Sequence, residues 1–421
     1  MRYARQSLFL LLALLMPIRS LTSEINLVAL EQHAAVARAL QAMYAQLEWT
    51  LEQQIHITEI PAPPFQEAAR ARYFEERFRE LGLENVRRDA IGNVLGEYHG
   101  RDPDTWVMVS AHLDTVFPPE TPVRVERKGN RLVGPGISDN GNGLATLLAL
   151  IRALRTGRVP TTASVLFVAN VGEEGEGNLR GIKHLFDDAA LRKMLRATIA
   201  IDGSGNERLT RRALGSKRLQ VIVHGPGGHS WGDFGLPNPI QALARAVAEL
   251  TTVPVPEKPR TVLNIGVIEG GTSVNSIPYR ASMKIDIRSE ESAEIARLEQ
   301  AVRHAADRAV AAENSAARRK GPLRYEIKVI GERPGGEVPE SAHIVEVFRA
   351  VDRHLGLETQ FRTASTDANI PIALGLEAIA VSGGGRSGSS HSLREWYDPT
   401  DREVASKRIF LALLLLTGVE P

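Results

Sequence analysis

Three short, apolar, β-branched runs each lead into a side chain that can hold a proton or a metal, and this repetition restricts what the chain can fold into. The runs are 106–111 (WVMVSA), 163–171 (ASVLFVANV) and 198–201 (TIAI), followed by His112, by the pair Glu173-Glu174 and by Asp202. Their composition predicts central strands buried on both faces, as in a parallel sheet. Residues 143–154 read as an amphipathic helix opened by Asp139-Asn140-Gly141-Asn142 and closed near Gly157, so a strand-helix-strand crossover joins the first two runs. In open parallel sheets functional groups collect beyond the carboxyl ends of the strands. The three endings should therefore share one crevice.

Each ending has an ordinary explanation on its own. His112-Leu113-Asp114 can be a capped turn, Asp139 in GPGISDNGNG a turn residue, Glu173-Glu174 a solvated pair and His391 in GGGRSGSSHS loop decoration. Their coincidence at strand ends and glycine-rich loops changes the reading, because a buried carboxylate pair is costly unless cations or protons neutralise it. Together the groups offer two imidazoles and three carboxylates, with one glutamate to spare. Two divalent ions roughly 3.5–4 Å apart need such a set: a bridging carboxylate, terminal N/O ligands and a shared water that becomes the nucleophile. With no cysteine in the chain, His, Asp and Glu must do the ligation, which suits zinc, cobalt or manganese at a catalytic site. The spare glutamate then serves as general base, passing the water's proton to a leaving amine.

The blocks VMVSAHLDTVFP, GPGISDNGNG, VLFVANVGEEGEGNLRG, IAIDGSG and the late His391 resemble the dimetal hydrolases that include tripeptide aminopeptidase, glutamate carboxypeptidase, aminoacylase, acetylornithine deacetylase and succinyl-diaminopimelate desuccinylase. The resemblance runs from about residue 45 onward, in the family's order. It implies that His112 and Asp202 bind one metal, that Glu174 and His391 bind the other, and that Asp139 bridges. It also implies two divalent ions, zinc first, with Glu173 as general base and Asp114 orienting His112. An Asp at 202 is similar to the peptidase branches more than to the deacetylases.

After Arg211-Arg212 the pattern changes to alternating, half-exposed strands: 218–224, 262–269 and 279–288, with a closing strand at 323–330. One helix begins at Asn238-Pro239 and carries Ile240, Leu243, Val247 and Leu250 at helical spacing; a second starts at Ser289 and carries Ile295, Leu298, Val302 and Ala305. The order β-α-β-β-α-β predicts a four-stranded antiparallel sheet with both helices on one face. The expected fold is thus α/β: a mostly parallel-sheet dimetal hydrolase domain, at 23–212 and 334–421, interrupted by an α+β lid at 213–333. The family's lid is commonly used for dimerisation, which implies a homodimer.

Three lid residues bear on chemistry. His229, in HGPGGHSWGD, reads alone as a turn residue; the resemblance implies that it polarises the scissile carbonyl in the partner subunit's site. Asn275, in GGTSVNSIP, is a substrate-binding candidate. Arg288 shares a strand face with Lys284 and Asp286, opposite Met283, Ile285 and Ile287, and its guanidinium fork suits a substrate carboxylate, as the resemblance also implies. TASTDANIP, around Asp367, resembles a family loop near the metal site, but its turn-forming composition explains it; Glu395, four residues after His391, either orients that ligand or sits in a surface turn; and 316–321 (AARRKG) reads as a solvated turn. The glycines at 383–385 lack the Lys-Ser/Thr of a phosphate loop.

At 421 residues two domains are expected, and a formal net charge of +1 with interspersed signs gives no nucleic-acid groove. Residues 1–22 read as a signal peptide: Arg2 and Arg5, then an apolar core at 8–16 too short to span a membrane, then Pro17. Export to the periplasm or medium is the corresponding expectation, the alternative being an apolar start to the first helix. The expected activity is exopeptidase cleavage of short peptides. The alternatives are cleavage of N-acyl amino acids and a catalytically inactive binding protein that keeps the fold. A serine hydrolase is disfavoured because no Gly-x-Ser-x-Gly elbow appears.

Overall fold

The computed structural model describes residues 26–421, so the expected signal segment at 1–22 lies outside the described residues. A nine-stranded sheet forms the larger layer. Its central strands Ala163–Asn170, Asp102–His112, Leu195–Ile201 and Ala378–Val381 lie side by side and parallel. Strands Glu84–Arg88 and Val94–Tyr98 extend one edge antiparallel, and Arg208–Ala213, Gly336–Glu337 and Gln360–Ala364 complete the other.

Two-sided burial explains why the central runs are continuously apolar. Val107, Val109 and Ala111 point into the core built with helices Ala34–Ala45, Gly141–Gly157 and Arg402–Thr417, whereas Trp106 and Met108 meet Ile182, Leu185 and Phe186 of helix Arg180–Asp187 on the opposite face. The expected crossover is present, with the helix extending two to three residues beyond 143–154 at each end. Glycines at both ends gave those residues a loop-like composition. The start is fixed by Asn140, whose side-chain oxygen accepts from Gly143 N at 3.1 Å.

The second sheet is inserted between Ala213 and Gly336. Its order is Thr261–Gly270, Arg280–Ser289, Gly215–His224, Arg324–Arg333, antiparallel throughout. Helices Pro239–Leu250 and Ser292–Ala316 pack on one face against Leu219, Val221, Met283 and Ile285. The alternation on strand Arg280–Ser289 is as expected: Met283, Ile285 and Ile287 are buried, and Lys284, Asp286 and Arg288 are not. No helix among the described residues is long and apolar enough to cross a membrane.

Candidate metal centre

The site is assembled at the carboxyl edge of the parallel strands. His112 ends its strand, Asp202 follows Ile201, and Glu173-Glu174 lie just beyond Asn170. Asp139 sits in the turn before helix Gly141–Gly157. That turn is tied down by Asn140, which caps the helix and also donates from Nδ2 to Ile201 O at 2.8 Å. The strand leading to Asp202 and the turn carrying Asp139 are thereby held together. Glycine is required at 143, because a Cβ there would lie 2.1 Å from Asn140 Oδ1 and 2.6 Å from Ile201 O. His391 arrives on a separate loop with a left-handed backbone, φ 62°.

Asp139 is the geometric centre. Its Oδ1 lies 3.2 Å from His112 Nε2, and its Oδ2 lies 3.0 Å from His391 Nε2. The two oxygens of one carboxylate thus face two different imidazoles, as a bridging ligand requires. Asp202 Oδ1 stands 3.8 Å from His112 Nε2, and Glu174 Oε1 stands 3.2 Å from His391 Nε2. The pairs His112/Asp202 and Glu174/His391 therefore lie on opposite sides of Asp139. Ligand atoms of His112, Asp139 and Glu174 fall within 4.8 Å of one another, so the two pairs meet closely at Asp139. His112 Nε2 is buried and makes no hydrogen bond among the described residues. An orphaned buried nitrogen amid carboxylates fits a divalent cation, and the all-N/O donor set agrees.

The charges lean the same way. Burial would lower the His112 imidazole, but Asp114, Asp139 and Asp202 outweigh it and hold it well above the usual range. Burial would raise Asp139, yet His112 and His391 keep it well below the carboxylate range. Asp139 and Glu174 push His391 up to about 11. Burial lifts both Glu173 and Glu174; Arg333 opposes the rise at Glu173, and the His391 hydrogen bond opposes it at Glu174. So many carboxylates in one buried cluster are balanced only by protons or by added cations.

Asp114 holds the site in two ways. Its backbone carbonyl lies 3.1 Å from His112 Nδ1, with Oδ1 farther, at 3.6 Å. Its carboxylate oxygens accept the backbone amides of Glu173 and Glu174 at 2.9 and 2.7 Å, which sets the direction of the glutamate pair.

Several contributors exceed the roles their sequence context suggests. Glu395 is fully buried rather than in a surface turn. It accepts from Ser138 N, Ser138 Oγ and Asp139 N at 2.8, 2.7 and 3.0 Å, and so fixes the Asp139 turn. Asp367 is likewise buried, accepts from Asn170 Nδ2 at 2.8 Å and is pushed by burial up to about 7. Arg333, at the end of the last lid strand, donates to Glu173 Oε1 at 2.8 Å and also to the Glu173 carbonyl. Burial was the missing signal in all three cases. Residues 316–321 do more than turn: the amides of Arg318 and Arg319 donate to Gly235 O, and Arg319 Nη1 donates to Gly232 O at 2.8 Å, bracing the loop that carries His229.

A cavity of about 300 Å³ opens between this cluster and the lid, lined on the lid side by Arg218, Arg288 and Arg333. Arg218 and Arg288 flank Asp286, at 3.3 and 2.8 Å. His229 and Asn275 do not line the cavity. They are brought together elsewhere on the lid, where Ser230 N donates to Asn275 O at 2.9 Å and Gly228–His229 pairs with Ser276–Ile277.

Comparisons with known proteins bear on the chain's family and fold. The model of the family described as "Peptidase family M20/M25/M40" matches residues 108–415. Carboxypeptidase G2 of Pseudomonas sp. (strain RS-16) is 26% identical over 232 residues, 52% of this chain and 54% of that protein. The chain spans about half to two thirds of the length of the first curated relatives it matches. A tripeptidase from Staphylococcus aureus superposes with a TM-score of 0.70 at 20% identity, over 88% of this chain and 98% of that one. A dinuclear metal binding peptidase of Bacillus subtilis superposes at 0.65 and 16% identity, over 89% and 99%. With its motifs, its fold and well over half of its length matched, the chain belongs to Peptidase family M20/M25/M40.

Proposed function

We propose that this protein is a metal-dependent exopeptidase that hydrolyses amide bonds of short peptides. The observation that carries the reading is Asp139 set between two imidazole-carboxylate pairs, with Glu173, paired to Arg333, lining the same cavity. His112 and Asp202 would hold one divalent ion, Glu174 and His391 the other, and Asp139 both; zinc suits the donor set, with cobalt or manganese able to replace it. The bound ions would supply Lewis-acid activation of water and of the scissile carbonyl. Glu173 takes the proton and passes it to the leaving amine. Digestion of a peptide library by protein loaded with zinc, cobalt or manganese, read by mass spectrometry, tests the reading. Removal of single terminal residues from di- and tripeptides is expected. Cleavage confined to N-acylated amino acids would replace it with a deacylase, and metal-replete protein inert on every amide would replace it with a binding protein.

Asp139→Ala is expected to reduce metal content from two ions per chain to one or none, since without the bridge the remaining ligands serve two repelling dications. Elemental analysis showing two ions bound to the variant would remove the bridging role. Arg288→Ala is expected to raise KM most for substrates with a free carboxylate beside the cleaved bond. A charge-assisted pair of this type contributes roughly 1.5–3 kcal/mol, or about 10- to 150-fold. Amidated substrates should change little, and equal damage to both kinds would make Arg288 structural.

The reading includes a homodimer formed through the lid. Strand Thr261–Gly270 is an unpaired sheet edge exposing Val262, Val267 and Ile268, the pattern that seeks a second strand. Val274 and Trp231, beside Asn275 and His229, are also exposed.

A further inference from the structure

A second cavity opens on the cluster from the side away from the lid. It measures about 440 Å³, shares Asp139 and Asp202 with the first, and is lined by no residue of the inserted sheet. Strands Arg208–Ala213 and Gln360–Ala364 run parallel there, with Gln360 opposite Arg208 and Arg362 opposite Thr210. Residues two apart on a strand share a face. Arg208, Thr210 and Arg362 therefore project together from the sheet into the cavity.

The two arginines differ from those on the lid side. Arg218 and Arg288 are satisfied by Asp286, and Arg333 by Glu173. Among the described residues neither Arg208 nor Arg362 has a carboxylate partner. The Arg362 guanidinium meets only the neutral Gln360 Oε1, at 2.9 Å, and outside the strand ladder Arg208 is engaged only through its backbone carbonyl. The remaining lining is rich in hydroxyls, among them Ser204, Ser382 and Ser390, and includes no aromatic side chain. Unpaired guanidinia beside hydroxyl donors match a carboxylate, and the apolar part of the lining is limited to Ala364, Ala380 and Val381.

We propose that this cavity is the subsite for an acidic side chain on the acyl half of the substrate, so that the protein selects short peptides whose residue before the cleaved bond is glutamate or aspartate. The proposal rests on the exopeptidase reading, in which Arg288 takes the terminal carboxylate in the lid-side cavity and leaves this cavity to the acyl half. The dipeptides Glu-Ala and Gln-Ala differ in charge at nearly constant shape. Both guanidinia are exposed, so on zinc-loaded protein kcat/KM is expected to favour Glu-Ala by about 2- to 5-fold, the range of a solvent-screened ion pair. In R208A/R362A the ratio should fall close to one. Calorimetric binding of both dipeptides to Glu173→Gln protein, with and without the two arginines, gives the same comparison without turnover. Equal rates, or a preference that survives R208A/R362A, would overturn the subsite. If neither dipeptide is hydrolysed the exopeptidase reading fails, and binding then decides the cavity: a charge preference lost with the arginines supports it, and its absence overturns it.

Discussion

Replacing Glu173 by glutamine is expected to lower turnover by about 10²–10⁴-fold, the range for loss of a general base, while both metals stay bound. The structure makes the substitution close to isosteric. The residue's amide remains held by Asp114, and an amide oxygen can still accept from Arg333 Nη1, now 2.8 Å from Glu173 Oε1. What is lost is the capacity to take a proton. Some stability is lost as well, since Arg333 is buried and surrenders its counter-charge; an uncompensated buried charge is costly. Thermal unfolding should register that, and elemental analysis should still find two ions. Near wild-type kcat would remove the general-base role from Glu173, and departure of the metals would make Glu173 a ligand.

How much of this site could be read in advance depended on how locally each residue is specified. His112, Asp202 and the Glu173-Glu174 pair sit where continuous apolar runs stop, and two-sided burial makes those runs conspicuous. The lid was legible for the complementary reason, a clean alternation on Arg280–Ser289 with helical stripes on either side in sequence. Strand Glu84–Arg88 gives no such signal: it is a polar sheet edge, largely exposed, held by pairing with Val94–Tyr98, with Val86 alone packed against the core. Arg333 gives no local signal, and the choice between the two readings of Glu395 stays open in sequence, because their meaning lies in contacts made 160 and 257 residues away in the chain. A buried charged side chain looks in sequence like any surface one; its partner is what makes its burial tolerable.

His229→Ala is expected to cost about 10²–10³ in kcat, as for one donor to a developing oxyanion, in a protein that stays folded and metal-replete. The structure equips this histidine as a donor, away from the lining of the cavity at the cluster. Its Nδ1 accepts from Trp231 N and Gly232 N, both at 3.2 Å, so the neutral ring carries its proton on Nε2, directed away from the loop. The loop is firmly built: Asp233 Oδ2 accepts from His229 N at 2.9 Å, and Arg319 braces Gly232 and Asp233. Yet His229 is exposed and absent from the lining of its own cavity. A second subunit joined at the lid edge would receive the ring, and that arrangement can be tested by mixing two inactive proteins. In a dimer of His229→Ala with Glu173→Gln, one composite site carries both defects and the other neither. Random exchange makes about half the dimers mixed, each with one intact site, so recovery should approach about a quarter of wild-type activity. Were His229 to serve its own chain, every site would keep one defect and mixing would restore nothing. Failure to recover activity after subunit exchange is verified by mass, or full activity in a dilute monomer, would reject action across the interface.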